Sequence, residues 1–244
     1  MSAGTLLLIP WHIGHWGDMT FNAVRQARRL RLFLAEDAAD AAKQFSSVLR
    51  IDCAAKEFRT IPVRPDKKFM ARALQALKTE DVGVVSSGGI PCFADPGAWI
   101  VREARAAGVP VVALGGPSSL AALLSLSGYD WINDPPSRAF SFVFFMKSEK
   151  GGGEGFRARL GRADEPVVVF VEKGAVAECL EAIRASGCGR PVSLFLDLTK
   201  GPRFPHANQV RTMSAARWAS ELGSIDWEKV SDAAMMIHPG ASAA

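Results

Sequence analysis

The stretch Val82–Leu120 constrains this chain more than any other. An apolar run, Val82 to Val85, stops abruptly at Ser86-Ser87-Gly88-Gly89-Ile90-Pro91, and Asp95-Pro96-Gly97 follows. The amphipathic segment Ala98–Ala107, the apolar run Val109–Leu114 and a second small-residue turn, Gly115-Gly116-Pro117-Ser118-Ser119, complete it. The order reads as strand, loop, helix, strand, loop, helix. Both loops leave strand C-termini, where open α/β sheets place their ligand crevice. Small residues there let a ligand approach backbone rather than side chain. The two turns are therefore expected to form a small-molecule cofactor site.

The flanking chain repeats the same grammar. Thr5–Ile9 reads as a buried strand that stops at Pro10, and a Gly- and Trp-rich loop, Trp11–Asp18, follows. Asp18 or Thr20 is expected to cap a helix over Phe21–Leu30. On that helix Arg25, Arg28 and Arg29 share one face, either a solvated face or a phosphate-contacting stripe. Leu32–Ala35 is a second strand ending at Glu36-Asp37, followed by a helix over Ala38–Leu49, a strand over Phe58–Val63 and a helix over Lys67–Leu77. Asp95 is expected as an N-cap with Pro96 at the first helical position. Strands separated by helices imply βαβ units and a largely parallel sheet.

A boundary is expected at Asn133-Asp134-Pro135-Pro136-Ser137, giving an N-terminal α/β domain over 1–134 and a C-terminal one over 138–244. In the second, strands are expected over Phe140–Phe145, Val167–Val171, Val192–Leu198, Val210–Thr212 and Ala233–His238. Helices are expected over Val176–Ala185 and Ala215–Leu222, and Lys147–Gly155 reads as a polar loop. Two α/β domains with a ligand cleft between them is the expected fold class. Glu36, Glu172 and Thr199 each follow a strand and are expected at the same kind of edge as the glycine turn.

Several chemistries are excluded by pattern. There is no GxGxxG at the first helix, no GxxxxGK[ST] and no GxSxG, so dinucleotide, P-loop and hydrolase-elbow readings fall away. Cys53, Cys92, Cys179 and Cys188 form no CxxC pair, and the four histidines lie elsewhere, so no zinc framework assembles from spacing. An imidazole titrates near neutral pH, which makes His12 and His15 candidates for a general base. With 48% apolar and 22% charged residues and no run long enough to span a bilayer, a soluble cytoplasmic protein without membrane contact is expected. The net charge of +4 permits a nucleic-acid partner without demanding one.

The core Val84–Gly128, with SSGGIP, the spacing to ADPG and then GGPSS, resembles the tetrapyrrole methylase superfamily of S-adenosylmethionine-dependent methyltransferases. It is most similar to the branch of small-subunit rRNA cytidine 2′-O-ribose methyltransferases. The likeness extends to Ile13-Gly14, Ala35-Glu36-Asp37, Glu172 and Leu198-Thr199-Lys200. The resemblance implies a tetrapyrrole methylase-like fold, a methyl donor between the domains, no metal and a homodimer. Carried over residue by residue, it implies that Pro10, Ser87, Gly88, Gly89, Ile90, Pro91, Asp95, Ser118, Ser119 and Leu120 line the S-adenosylmethionine site. Glu36, His12 and His15 are then the candidate catalytic bases.

The chain departs from that branch at Trp11–Trp16, at Ala38-Ala39 in place of Thr-Arg and at Ser87 in place of an acidic residue. Three functions follow as expectations: a ribose methyltransferase acting on RNA, a methyltransferase for a tetrapyrrole-like small molecule or a peptide, and a non-catalytic S-adenosylmethionine-binding domain. The basic balance and the arginine stripe favour the first. The Trp11–Trp16 loop, as an apolar wall around an acceptor, motivates the second.

Overall fold

In a computed structural model, residues 4–133, 139–147, 153–162 and 164–240 are described. They divide into two compact units, Met1–Ser118 and Ser119–Ala244. The expected boundary lies later, and from Asp134 to Ser137 it falls outside the described residues. The helix at Ser119–Leu126 counts with the second unit because Leu123 is fully buried against Val168, Phe195 and Met236 of the second sheet.

The first unit runs β1 (Leu6–Ile9), α1 (Phe21–Arg29), β2 (Leu32–Ala35), α2 (Ala38–Ser47), β3 (Glu57–Thr60), α3 (Lys67–Ala76), β4 (Val82–Val85), α4 (Ala98–Ala106) and β5 (Val111–Ala113). Its sheet has the order β3-β2-β4-β1-β5, and every recorded pairing is parallel. Strands buried on both faces read as unbroken apolar runs rather than as alternation. Leu6, Leu8, Leu32, Leu34, Val82 and Val84 pack against α3 and α4 through Met70, Ala73, Trp99 and Ile100. Leu7, Ile9, Phe33, Ala35 and Val85 pack on the other face against α1 and α2 through Ala23, Ala27 and Phe45, with Leu49 just beyond α2. Gly83 is required in mid-strand, since a Cβ there would lie 2.8 Å from the Phe33 ring.

Local chemistry fixes the helix starts. Thr20, rather than Asp18, caps α1 by accepting from the Ala23 amide at 3.2 Å. Asp37 accepts from Ala39 and Asp40 at 2.9 Å each, and Asp66 accepts from Phe69 at 2.8 Å. The exception is α4. Gly97, at φ +124°, precedes it without a side-chain cap, so the expected Asp95 N-cap is corrected.

The second unit contains α5 (Ser119–Leu126), β6 (Ser141–Phe145), α6 (Gly153–Leu160), β7 (Val167–Val171), α7 (Val176–Ala185), β8 (Pro191–Leu196), β9 (Gln209–Ser214), α8 (Ala215–Glu221) and β10 (Ala233–Ile237). Its order is β6-β7-β10-β8-β9, parallel only between β6 and β7. A loop without a helix joins β8 to β9, which allows an antiparallel return that a parallel pair would not. Part of the expected Lys147–Gly155 loop is helical, since α6 begins at Gly153. Among the described residues no helix is long and apolar enough to cross a membrane.

Phe45 ties the first core together. It is 1% exposed, stacks on Trp11 at 5.1 Å and meets Phe33 and Phe58 edge-on at 4.9 and 5.2 Å. Replacing it by Ala is expected to cost about 3–5 kcal/mol, read as a lower urea midpoint for the first unit. A loss well under 1 kcal/mol would show that these contacts are not the core.

Candidate functional site

The C-terminal ends of β1, β2, β4 and β5 lie on one edge of the first sheet because all these strands run parallel. Pro10 follows β1, Glu36 follows β2, Ser86–Pro91 follow β4 and Gly115–Pro117 lie beyond β5. The first turn is held from three sides. The Trp11 amide donates to Gly89 O at 2.8 Å, and the Gly89 amide returns a bond to Trp11 O at 3.0 Å. Ser86, 7% exposed, donates its hydroxyl to Gly88 O at 3.0 Å and closes the turn from inside. Ser87 donates to one carboxylate oxygen of Glu36 twice, from its amide at 3.1 Å and its hydroxyl at 2.6 Å.

Glycine is demanded at two places. Gly89 sits at φ +73°, a left-handed conformation that costs other residues energy. Gly116 lies so close to Pro10 that a Cβ would come within 2.3 Å of the proline ring. At Gly115 a Cβ would meet nothing within 4 Å, and Thr20 donates its hydroxyl to Gly115 O at 3.0 Å. The second turn is therefore anchored through the start of α1 and presses on the first strand's exit.

The loop from β4 to α4 carries backbone strain. Cys92 and Ala94 both have φ +68°, conformations that cost roughly 1–3 kcal/mol each in non-glycine residues. Between that loop and the turn lies Asp95, half-buried and close to Ser86. Burial first, and the nearby Glu36 charge second, lift its carboxyl to about 6, against the opposing influence of the Ser86 hydroxyl. Burial, with Asp95 beside it, pushes the Cys92 thiol up to about 11, so a reactive thiolate is excluded at neutral pH.

The sequence-expected residues Pro10, Ser87–Pro91 and Asp95 thus gather at one edge. Ser118 ends the first unit, while Ser119 and Leu120 begin α5, where Leu120 packs against the apolar cluster around Leu123. Glu36 is engaged with Ser87. His12 Nδ1 accepts from the Gly14 amide at 3.3 Å, and His15 Nδ1 from the Gly17 amide at 3.2 Å. Both histidines thereby shape the loop after β1. Trp11 is core, 2% exposed, whereas Trp16 is 66% exposed and stacks on His15. Glu172 accepts from the Lys147 amide at 3.0 Å, and Thr199, at φ +59°, donates its amide to Asn208. Ser86 was hidden by its ordinary residue type, and the titration of Asp95 by its resemblance to a cap.

Between Trp11, Glu36, Asp40, Gln44 and Ser87 lies a pocket of about 10 Å³, the room of a single water.

A family model described as Tetrapyrrole (Corrin/Porphyrin) Methylases matches residues 5–201. The ribosomal RNA small subunit methyltransferase I of Pseudomonas aeruginosa is 31% identical over 172 residues, 70% of this chain and 57% of that protein. The protein of the same name from Xylella fastidiosa is 29% identical over 178 residues, 72% of this chain and 62% of that protein. The chain therefore spans less than two thirds of these relatives' length. Among solved structures, a diphthine synthase matches with a TM-score of 0.68 at 14% identity, covering 97% of this chain and 90% of that one. Uroporphyrin-III C-methyltransferase from Thermus thermophilus, complexed with S-adenosylhomocysteine, matches with a TM-score of 0.55 at 18% identity, covering 96% and 97%. At those identities the likeness is one of fold.

Replacing Glu36 by Gln keeps an acceptor for Ser87 but removes the negative charge beside Asp95. Followed by ¹³C NMR titration, the Asp95 carboxyl is expected to fall from about 6 part of the way to its ordinary range, since burial remains. An unchanged titration would contradict the coupling.

Proposed function

The chain belongs to the tetrapyrrole methylase family, and from that premise we propose that it is an S-adenosylmethionine-dependent methyltransferase acting on ribosomal RNA at a ribose 2′-hydroxyl. The observation that carries this reading is the glycine turn braced on Trp11 and lying beside the second turn, whose Gly116 packs on Pro10. The names of the relatives from Pseudomonas aeruginosa and Xylella fastidiosa support the choice of acceptor.

The residues fit such a donor. Gly88 to Pro91, with Pro10 and the open backbone at Gly115, would hold it by main-chain groups and close packing. The Glu36 and Asp95 carboxyls give this edge a negative potential suited to a cationic ligand. When bound, S-adenosylmethionine supplies a methyl group on an already activated sulfonium. What the protein must add is alignment, where proximity and orientation dominate.

Asp95 is the proposed proton acceptor, in place of Glu36, His12 and His15, of which both Nδ1 atoms and Glu36 Oε2 already accept from loop amides or Ser87. At about 6 it is ionised at neutral pH yet basic enough to take the proton that the hydroxyl loses as its oxygen gains the methyl group. We also infer a homodimer and a cytoplasmic location from the family resemblance; light scattering is expected to read twice the 26.2 kDa of the chain.

The function is tested by incubating the protein with methyl-labelled donor and small ribosomal subunits, then separating RNA, protein and small molecules. Label is expected in RNA, at one nucleotide that resists alkaline cleavage. Label confined to the other fractions would overturn the acceptor, and absence of heat on titrating donor at high micromolar concentration would overturn the enzyme reading.

Asp95→Asn is expected to lower single-turnover methyl transfer by about 10²–10⁴-fold, and the wild-type rate to rise between pH 5 and 7 with a midpoint near 6. Its folded-state value is raised, so its stabilising contribution is full below the ordinary carboxylate value and is lost as pH rises through about 6. The Asn variant is therefore expected to have a higher urea midpoint at pH 7.5, with the gain shrinking toward pH 4. A variant less stable at pH 7.5 would contradict the desolvation account.

A further inference from the structure

A basic groove lies at the opposite end of the first sheet from the glycine turns. It is about 550 Å³, and its walls come from the end of α1 and the loop between α2 and β3. Arg28, Arg29, Arg31, Arg50 and Lys56 line it, with Asp52 as the one carboxylate among the lining residues. Two of the cations are spoken for. Arg29 pairs with Asp81 at 2.7 Å, and Arg31 pairs with Glu80 and, at 3.3 Å, with Glu57.

The rest carry uncompensated charge. Arg28 reaches only the Leu49 carbonyl, at 3.5 Å, and Arg50 has no ion-pair or hydrogen-bond partner among the described residues. Arg50 is also held at φ +54°, a left-handed conformation unusual for a long side chain. The Lys56 ammonium donates to Arg28 O at 2.9 Å and to Leu30 O, and lies 5.5 Å from the Phe33 ring. No carboxylate neutralises it among the described residues, and burial lowers its pKa. Arg25, the third member of the arginine stripe, bonds Asn22 instead.

We propose that this groove is a docking surface for the phosphate backbone of the RNA acceptor, gripped between Arg28 on one wall and Arg50 on the other. The inference rests on the RNA reading of the preceding subsection. Guanidinium forks match phosphate oxygens in two-bond geometry. The lining apolar residues Leu30 and Ile51 are buried, at 4% and 9% exposure, so cationic side chains rather than these two residues meet an incoming partner. Four-residue β2 separates groove from turn by roughly 13 Å at about 3.3 Å per residue. RNA held in the groove therefore has to extend along the sheet to bring a nucleotide to the other edge.

The test uses the full chain and the double variant Arg28→Gln, Arg50→Gln, with a fluorescein-labelled small-subunit rRNA fragment read by anisotropy between 50 and 200 mM KCl. Loss of two phosphate contacts is expected to weaken binding about tenfold and to reduce the slope of log K against log salt by roughly 1.4–1.8. Donor affinity by calorimetry and the rate at saturating RNA are expected to stay at wild-type values, with KM for RNA raised. Wild-type affinity and slope in the double variant, while the wild type binds and methylates the RNA, would overturn the groove alone. Failure of the wild type itself to bind or methylate RNA would overturn the RNA reading and this surface with it. Tighter binding of poly-glutamate than of RNA, lost in the double variant, would reassign the groove to an acidic protein.

Discussion

Two backbone hydrogen bonds between Trp11 and Gly89 hold the site together. They turn the exits of β1 and β4 into a short antiparallel bridge at the edge of a parallel sheet. Everything that follows depends on where that bridge sits. Trp11 is fixed by stacking on Phe45, which the apolar face of α2 holds against Phe33 and Phe58. The position of a loop glycine is thus inherited from an aromatic core. Gly89 tolerates the left-handed turn, and Gly116 lets Pro10 close the other side. A ligand that binds backbone needs such preformed geometry, because ordering a loose turn on binding would consume affinity.

The same edge places a carboxyl where solvation is poor. A helix start with a conventional cap would have pointed Asp95 at its own backbone amides and kept it acidic. Instead Gly97 takes the entry to α4 at φ +124°, and the strained Cys92 and Ala94 carry the chain across. Asp95 is left against Ser86 in the field of Glu36. Strain and desolvation of this kind lower stability, and they persist where the surrounding packing over-determines the conformation. Here that packing is Trp99 and Ile100 below the loop, both buried in the α3–α4 face of the sheet.

Much of the first unit was legible in the chain, for a physical reason. Parallel strands covered on both faces are apolar throughout, so Leu32–Ala35 and Val82–Val85 announce themselves with the right ends. The turns were legible because runs of Ser and Gly have few other uses at strand exits. Asp95 misled because Asp-Pro-Gly before a helix has the local signature of a cap, whereas Gly97 takes the entry at φ +124° with no side-chain cap. Trp11 reads in the sequence as part of an apolar wall, and it is core because Phe45, far along the chain, lies beneath it. The mixed second sheet was not legible, since the antiparallel return from β8 to β9 passes through a loop whose left-handed residues are Asp197, Thr199 and Asn208 rather than glycine.

The central claim is that the glycine turn, proposed to hold the donor, is preformed by the Trp11–Gly89 bridge rather than folded by its ligand. Native-state hydrogen exchange of the Gly89 amide in the free protein tests it most directly. Protection close to that of the β4 amides, changed little by S-adenosylmethionine, is the predicted result. Exchange at the rate of an open loop, becoming slow only when the donor is added, would contradict it.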